Sequence, residues 1–274
     1  MYVFCALPML SLNSKEKSHK PLLLVESVIK LITKKRIDES NKQAALFLLV
    51  KFFYIPLMIN FAVNNYRSIR YFVLSNWTGG HFNFNFQNDY PMIITLFLTV
   101  DTIFFTFGYL VEHSWLRNKV KSVEPTAIGW IVALATYPPF NSITANYLNW
   151  YSNDYFFWPD RLTDYTLKVL VVVLMGLYLW ATLSLGTKCS NLTNRGIVGN
   201  GAYKYIRHPA FTGKILAWWI MALPHLSVGM LVSMSGWTAI YFLRAMTEER
   251  HLSLDKDYLK YKKLTPYRFL PGIY

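Results

Sequence analysis

The sequence predicts an all-α, multi-pass membrane protein of about six transmembrane helices, ending in a helical hairpin and a cytoplasmic cap. Three observations carry this reading. The 274 residues are 53% hydrophobic and only 16% charged, whereas soluble domains run below half apolar and about a quarter charged. Apolar runs approaching the roughly 20 residues a helix needs to cross a bilayer recur along the chain. The basic residues behind the net charge of +13 gather between those runs, as they do in cytoplasmic loops and beside anionic lipid. The same distribution argues against nucleic acid as a partner, because no soluble basic face is left to bind it.

Taken in order, Met1 to Leu12 is apolar but short, without a basic start or a small-residue cleavage site. It reads as an interfacial helix or the remnant of a span, not as a secretory signal. Ser14 to Lys42, with Lys34-Lys35-Arg36, is basic and cytoplasmic, so that 1–43 forms an N-terminal cytoplasmic segment. The expected spans are Ala44 to Val63, Met92 to Val111, Ala127 to Phe140, Leu167 to Leu185, Lys214 to Leu226 and Val228 to Met246. The third should stop at Pro138-Pro139, since proline removes a helix hydrogen bond and clashes with the preceding turn. Ser122-Val-Glu124-Pro125 supplies its start signal, with Glu124 favourable near the N-terminus and a candidate for the mouth of a site. The fifth and sixth are separated only by Pro224 to Ser227 and form a tight hairpin. Beyond them Leu254, Tyr258, Leu259 and Tyr261 space out a short amphipathic cap helix before Pro266.

Crossing in alternation puts Ser14–Lys42, the loop with Arg117, Lys119 and Lys121, Lys188–Arg207 and Arg250–Arg268 on one side. The positive-inside bias makes that side cytoplasmic, with both termini inside. The opposite side takes Asn141 to Asp164, acidic and aromatic, whose Trp150, Tyr155, Phe156, Phe157 and Trp158 suit an interfacial belt. Asn64 to Tyr90 also falls outside despite Arg67 and Arg70, and carries the sequon Asn76-Trp77-Thr78; a second, Asn191-Leu-Thr193, faces the cytosol. Asp101 lies within the second span, where a charge marks either function or a hydrogen bond to a neighbouring helix. Cys5 and Cys189 lie too far apart in sequence to make a metal or redox motif, and His81, His113, His225 and His251 have no ligand spacing. No metal is expected.

The chemistry concentrates at the cytoplasmic end of the hairpin. Gly201-Ala-Tyr203-Lys-Tyr205-Ile-Arg207-His208-Pro209-Ala-Phe211-Thr-Gly213 enters it, and Arg244-Ala-Met-Thr-Glu248-Glu249 leaves it. Unpaired ions beside a membrane cost several kcal/mol, so two charged clusters at one end imply a site. Asn200-Gly201 is a turn that permits close backbone approach. Tyr203 and Phe211 offer flat walls, Arg207 and His208 offer donors, and Pro209 starts a helix whose amides favour negative charge. Arg244 and Glu248 are four apart and can pair, while Glu249 is turned about 100° away. A zwitterionic nucleoside suits such a pocket better than a plain lipid; an interfacial salt bridge and a histidine loop cap are the bland alternatives.

Gly201-x-Tyr203-x-x-x-Arg207-His208-Pro209-x-Phe211-x-Gly213, followed by Arg244-x-x-x-Glu248-Glu249-x-x-Leu252 and Tyr258-x-x-Tyr261, resembles the isoprenylcysteine carboxyl methyltransferase family, which includes phospholipid methyltransferases. The resemblance covers Leu185 to Tyr274, about a third of the chain. It implies an integral membrane enzyme that uses S-adenosylmethionine in a cytosol-facing pocket. It places Gly201, Tyr203, Arg207, His208, Pro209, Phe211, Gly213, Glu249, Tyr258 and Tyr261 around the cofactor, and Arg244 and Glu248 as catalytic residues beside the acceptor. Segment 188–274 becomes the catalytic region, and the helices of 44–187 the acceptor-binding part. Phe211 stands where tyrosine is usual, Arg195 where prenylcysteine enzymes carry histidine, and Gly199 where they carry threonine; these departures point away from prenylcysteine more than from the methyl donor.

The resulting expectation is methyl transfer from S-adenosylmethionine to a lipophilic small-molecule or lipidated acceptor that enters laterally from membrane lipid. Arg244 suits a carboxylate or phosphate; Glu248 is the candidate base if an amine or thiol accepts. The membrane is the inner membrane in a bacterium and the endoplasmic reticulum in a eukaryote. An alternative is an NADPH-dependent membrane sterol reductase, whose tails Pro266-Tyr-Arg268-Phe-Leu-Pro271-Gly-Ile-Tyr274 resembles, although those enzymes carry tryptophan after the loop glycine. A third class is a non-catalytic lipid-binding membrane protein.

Overall fold

A computed structural model describes residues 39–78 and 80–273. The expected N-terminal segment therefore lies outside the described residues up to position 38, with Cys5 and the lysine-rich run. The described chain is mostly helical, and three of its helices are long and apolar enough to cross a membrane. These are α1 (Glu39–Asn76), α2 (Phe86–Leu110) and α5 (Arg161–Leu185).

α1 has 38 residues, about 57 Å at 1.5 Å per residue. The apolar pattern predicts an end at Val63 and a loop from Asn64 to Tyr90. Instead the helix runs on to Asn76, because no glycine or proline interrupts 57–76. A two-stranded turn, β1 (Trp77–Thr78) against β2 (His81–Phe82), then leads to α2. Asn85 caps α2 by accepting from the Gln87 amide at 3.0 Å, and Asp160 caps α5 by accepting from the Thr163 amide at 2.8 Å. Both are short polar side chains satisfying orphan amides of a first turn.

The third expected span is not one helix. α3 (Ala127–Leu134) ends before the prolines and α4 (Phe140–Ala145) comes after them. Ser122 does not start α3: it lies in β3 (Ser122–Val123), which pairs with β4 (Thr193–Asn194), and the α3 cap is Thr126. The hairpin is α6 (Pro209–Ala222) and α7 (Val228–Leu252), joined by a tight turn at Leu223–His225. α6 begins five residues earlier than expected, at Pro209, whose fixed φ suits a first helical position. Its 14 residues span about 21 Å. Trp219 Nε1 donates to Thr238 Oγ1 at 2.9 Å, and the Trp218 and Tyr241 rings meet edge to face at 5.2 Å, holding the two arms together. The cap helix α8 (Lys256–Leu264) comes next, capped by Asp255.

Two apolar clusters anchor the bundle. Tyr90, Ile94, Val171, Met175, Ala217 and Met221 join α2, α5 and α6; Phe47, Val50, Tyr54, Met58 and Tyr109 join α1 to α2. Asp101 on α2 accepts from Thr182 Oγ1 on α5 at 2.6 Å and bonds Tyr178, so its charge is met by a neighbouring helix, the structural alternative weighed from sequence. Asp164 and Lys168 form a buried 2.7 Å pair on α5, with the ammonium over the Tyr90 ring.

Gly213 lies where α6 crosses α5. A Cβ there would collide with the Leu174 carbonyl and come within 3.0 Å of the Tyr178 amide. Neither is a flexible side chain that can move aside. Gly213→Ala is therefore expected to destabilise the protein by about 1–3 kcal/mol, the usual cost of overpacking, read as a lower melting temperature in detergent.

Candidate functional site

The Gly201–Gly213 loop is fixed by the C-terminal tail, which runs back along it. The Arg207 amide donates to Tyr267 O at 2.9 Å, the His208 amide to Arg268 O at 2.9 Å, and Thr212 Oγ1 to Phe269 O at 3.0 Å. The turn before it needs its glycine: Gly201 has φ +58°, and a side chain there would strike Ser184.

Glu249 is the hub of the loop. It sits near the end of α7, three residues beyond the apolar stretch that closes at Met246, and is 3% exposed. Its Oε1 accepts from Arg207 Nε at 2.8 Å and His208 Nε2 at 3.1 Å, and both carboxylate oxygens lie 3.2 Å from Arg268 Nε. Lys262 Nζ approaches Oε2 at 3.9 Å. Arg207 Nη1 donates to Thr265 O at 3.1 Å and to Pro266 O at 2.8 Å. Burial alone pushes a carboxyl group upward, but hydrogen bonds and charge from His208 and Arg207 overcome it and hold Glu249 down at about 2.

His208 stacks on Phe211, with ring centroids 5.5 Å apart and planes 3° from parallel. Phe211 in turn meets Tyr241 edge to face at 5.6 Å and carries the Arg244 guanidinium 5.2 Å above its centre. Arg244 is 7% exposed and also lies over the Tyr137 and Tyr241 rings. It donates to Thr136 Oγ1 at 2.9 Å and to the Asn191 side-chain carbonyl. The expected pair with Glu248 is not formed. Arg244 is drawn instead into an aromatic and amide cage, and no carboxylate lies within ion-pair distance of it among the described residues.

The aromatic residues divide into two groups. Phe211 belongs to the Arg244 side. On the other side Tyr261 donates to the Tyr203 carbonyl at 2.8 Å and its ring lies 5.8 Å from that of Tyr258. A Cβ at Gly199 would come within 3.1 Å of the Tyr261 ring, so threonine at that place would not fit as the ring now lies. Burial, with the Glu248 charge next, raises the Tyr203 hydroxyl above its ordinary value. The Glu248 charge thus reaches Tyr203, while Tyr258 and Tyr261 feel both Glu248 and Glu249. Pro209 is buried as the first residue of α6, and Gly213 belongs to the contact with α5 described above, so both serve the scaffold. Arg195 is likewise structural in its contacts, with Nη1 on Asn118 O at 2.7 Å and Nε on Ser190 Oγ at 2.9 Å.

A cleft beside α7 is lined by Arg244, Thr247, Glu248 and His251 on one wall and by Glu124, Gly129, Ala133 and Ser190–Thr193 on the other. Its empty space, mouth included, is about 410 Å³. Thr136 and Tyr137 carry no signal in the sequence and Asn191 only that of a sequon; their contribution comes from packing around Arg244, which no local motif announces. His251 has no ligand spacing, yet it faces Glu124 across the cleft. Arg268 is visible in the sequence only as part of a tail.

Neither the protein-family models nor the curated proteins contain a match to this chain.

Glu249 is ionised well below the ordinary carboxylate value, so its contribution to stability is full above about 4.5 and is lost as pH falls toward about 2. Glu249→Gln is expected to remove that acid-side loss from a pH series of melting temperatures. Glu249→Ala is expected to cost about 3–5 kcal/mol by stranding buried Arg207, read as the drop in melting temperature at pH 7.

Proposed function

We propose that the protein is an integral membrane methyltransferase that takes its methyl group from S-adenosylmethionine and gives it to a lipophilic or membrane-embedded acceptor. The observation that carries this reading is Arg244: a buried guanidinium, roofed by three aromatic rings, bonded only to neutral groups and lining a cleft with Glu248. A buried cation without a counter-ion is costly, and an anionic group on a ligand removes that cost.

The donor set is consistent with the methyl donor. Glu248 is exposed, takes no hydrogen bond or ion pair among the described residues, and acts on Tyr203, Tyr258 and Tyr261. It offers a carboxylate to hydroxyls or an amine beside flat aromatic walls. His208 and Phe211 stack beneath Arg244 and support it from the side of the loop. Glu249 is reassigned in this reading. With its oxygens already engaged by Arg207, His208 and Arg268, it shapes the cofactor loop and holds His208 in place. When bound, S-adenosylmethionine supplies an activated sulfonium methyl, so the protein's part is orientation, which can contribute about 7–11 kcal/mol.

In the membrane, α1, α2 and α5 cross fully, and the α6–α7 hairpin and the broken α3–α4 element complete six passes with both ends in the cytosol. The basic segments around Lys121, Lys188 and Arg250 then share one face. A non-helical break at membrane depth is tolerable where protein packs around it, and Leu148, between α4 and α5, lies against Gly236 and takes the Trp237 indole N–H on its carbonyl at 2.9 Å.

Calorimetry on the purified chain is expected to detect binding of S-adenosylhomocysteine and none of NADPH; the reverse result overturns the reading in favour of a reductase. His208→Ala leaves Glu249 with Arg207 and Arg268, so it is expected to fold and to weaken S-adenosylhomocysteine binding. Arg244→Ala is expected to lower turnover by about 100-fold, the cost of a misplaced acceptor, with a smaller change in cofactor affinity.

A further inference from the structure

We propose that Glu124 and His251 form a subsite in the cleft for the N–H donors of a primary ammonium head on the acceptor, with Glu124 taking the proton that must leave before the nitrogen can attack. The proposal rests on the methyltransferase reading and adds to it the protic class of acceptor.

Glu124 lines the cleft and is 3% exposed, yet its Oε2 has no hydrogen-bond partner. Buried carboxylate oxygens are rarely left unsatisfied, because desolvation then goes uncompensated. The other oxygen is fully used: Oε1 accepts from the Thr126 amide at 3.0 Å, from Thr126 Oγ1 and from Arg250 Nη2 at 3.0 Å. The side chain lies flat on Gly129, where any Cβ would collide with it, so the oxygen's position is set by the start of α3.

Across from Oε2, at 3.9 Å, stands His251 Nδ1. That is too long for a hydrogen bond. The far nitrogen, Nε2, shares a 2.8 Å bond with Ser122 Oγ. If the serine accepts from Nε2, Nδ1 carries a lone pair and two acceptors face each other with no proton between them. An ammonium carries enough N–H groups to serve both. Burial lowers the His251 pKa, the Glu124 charge opposes this and Arg250 adds to it; the ring is therefore neutral near pH 7 and able to receive a proton. Arg250 answers Glu124 only through Oε1, at 3.0 Å, so the unpartnered Oε2 still faces the cleft as an acceptor for N–H donors.

The step balances simply. An N–H bond of the ammonium breaks, its electron pair stays on nitrogen, and the proton passes to Glu124 Oε2. A water entering between the two groups as the product leaves carries it on to His251 Nδ1, and the Nε2 proton passes to Ser122 Oγ, half-buried in β3, as the serine hydroxyl releases its own proton to solvent. A carboxylate acceptor has no proton to lose and would need none of these groups.

The test uses the full chain in lipid nanodiscs, with octylamine and octanoate as probes. Calorimetry without methyl donor is expected to detect octylammonium binding that Glu124→Gln weakens at least about tenfold, an effect absent for octanoate. Equal octylammonium affinity in wild type and Glu124→Gln, or preferential binding of octanoate, overturns the proposal. With S-adenosylmethionine added, Glu124→Gln is expected to lower octylamine turnover at least about 100-fold, the lower range for a general base. His251→Gln, which keeps a polar side chain and serves if Glu124→Gln misfolds, is expected to weaken octylammonium binding and shift the acid limb of the pH–rate profile. An unmoved limb with unchanged binding overturns the relay. S-adenosylhomocysteine affinity, measured alongside, separates the two claims: its absence sinks the methyltransferase reading, while the octylammonium comparison still decides the subsite.

Discussion

The end of the molecule where α6 begins and α7 stops depends on one carboxylate. Glu249 collects Arg207 and His208 from the loop before α6, Arg268 from the tail and Lys262 from the cap helix. The loop lies far in sequence from the contiguous cap helix and tail, and the carboxylate joins them alongside the contacts of Phe269 with His208 and Phe242. A surface ion pair could not hold them, being worth at most about 1 kcal/mol. This one is buried and its acceptors are saturated, which is the condition under which removing a partner becomes expensive. The tail's backbone bonds to Arg207, His208 and Thr212 come from the same gathering.

Once the loop is fixed, the aromatic column is fixed with it. His208 stacks on Phe211, Phe211 supports Arg244, and Arg244 reaches Thr136 and Asn191 on the opposite wall. Asn191 is itself held by Tyr109 and Tyr137, bonding the first through its amide at 2.7 Å and the second through its side chain at 3.1 Å. The chain of contact therefore runs from the tail to α2, crossing the cleft. Arg244 is the member of this column that sits where it meets the cleft. An anion there would complete it electrostatically without disturbing any bond already made.

Much of this is legible in the sequence, and the losses have physical causes. Apolar length locates α1, α2 and α5 and the hairpin, and Asn200-Gly201 and Pro209 mark the turn and the start of α6. The extension of α1 to Asn76 is hidden because Arg67 and Arg70 break the apolar run, although charge does not stop a helix as proline does. The cluster of Arg207, His208 and Glu249 is visible as a set, but its use is not. That requires Arg268, whose approach depends on how the tail folds back. Arg244 and Glu248 have the right spacing to pair, and spacing says nothing of the aromatic cage that draws Arg244 away. Glu124 and His251 are 127 positions apart; the packing of α3 against α7 carries one to the other, and no local pattern encodes it.

Two adjacent acids at the end of α7 show how geometry divides labour. Successive helical residues point about 100° apart, so Glu248 and Glu249 make different direct bonds, although Tyr258 and Tyr261 feel both charges. Glu249 turns to the loop and tail and is consumed there. Glu248 turns to the cleft and the tyrosines, exposed and with its oxygens open. A structural acid needs saturation, because a buried oxygen left over would cost stability; a ligand-binding acid needs the opposite. Glu124 is the intermediate case, with one oxygen tied down by Thr126 and Arg250 and the other buried without a partner. Its bound oxygen fixes where the free one lies, so the rigidity of the first is what gives the second any power to select a ligand. The cleft is thus built from groups whose bonds are complete on the protein side and incomplete on the side that faces it.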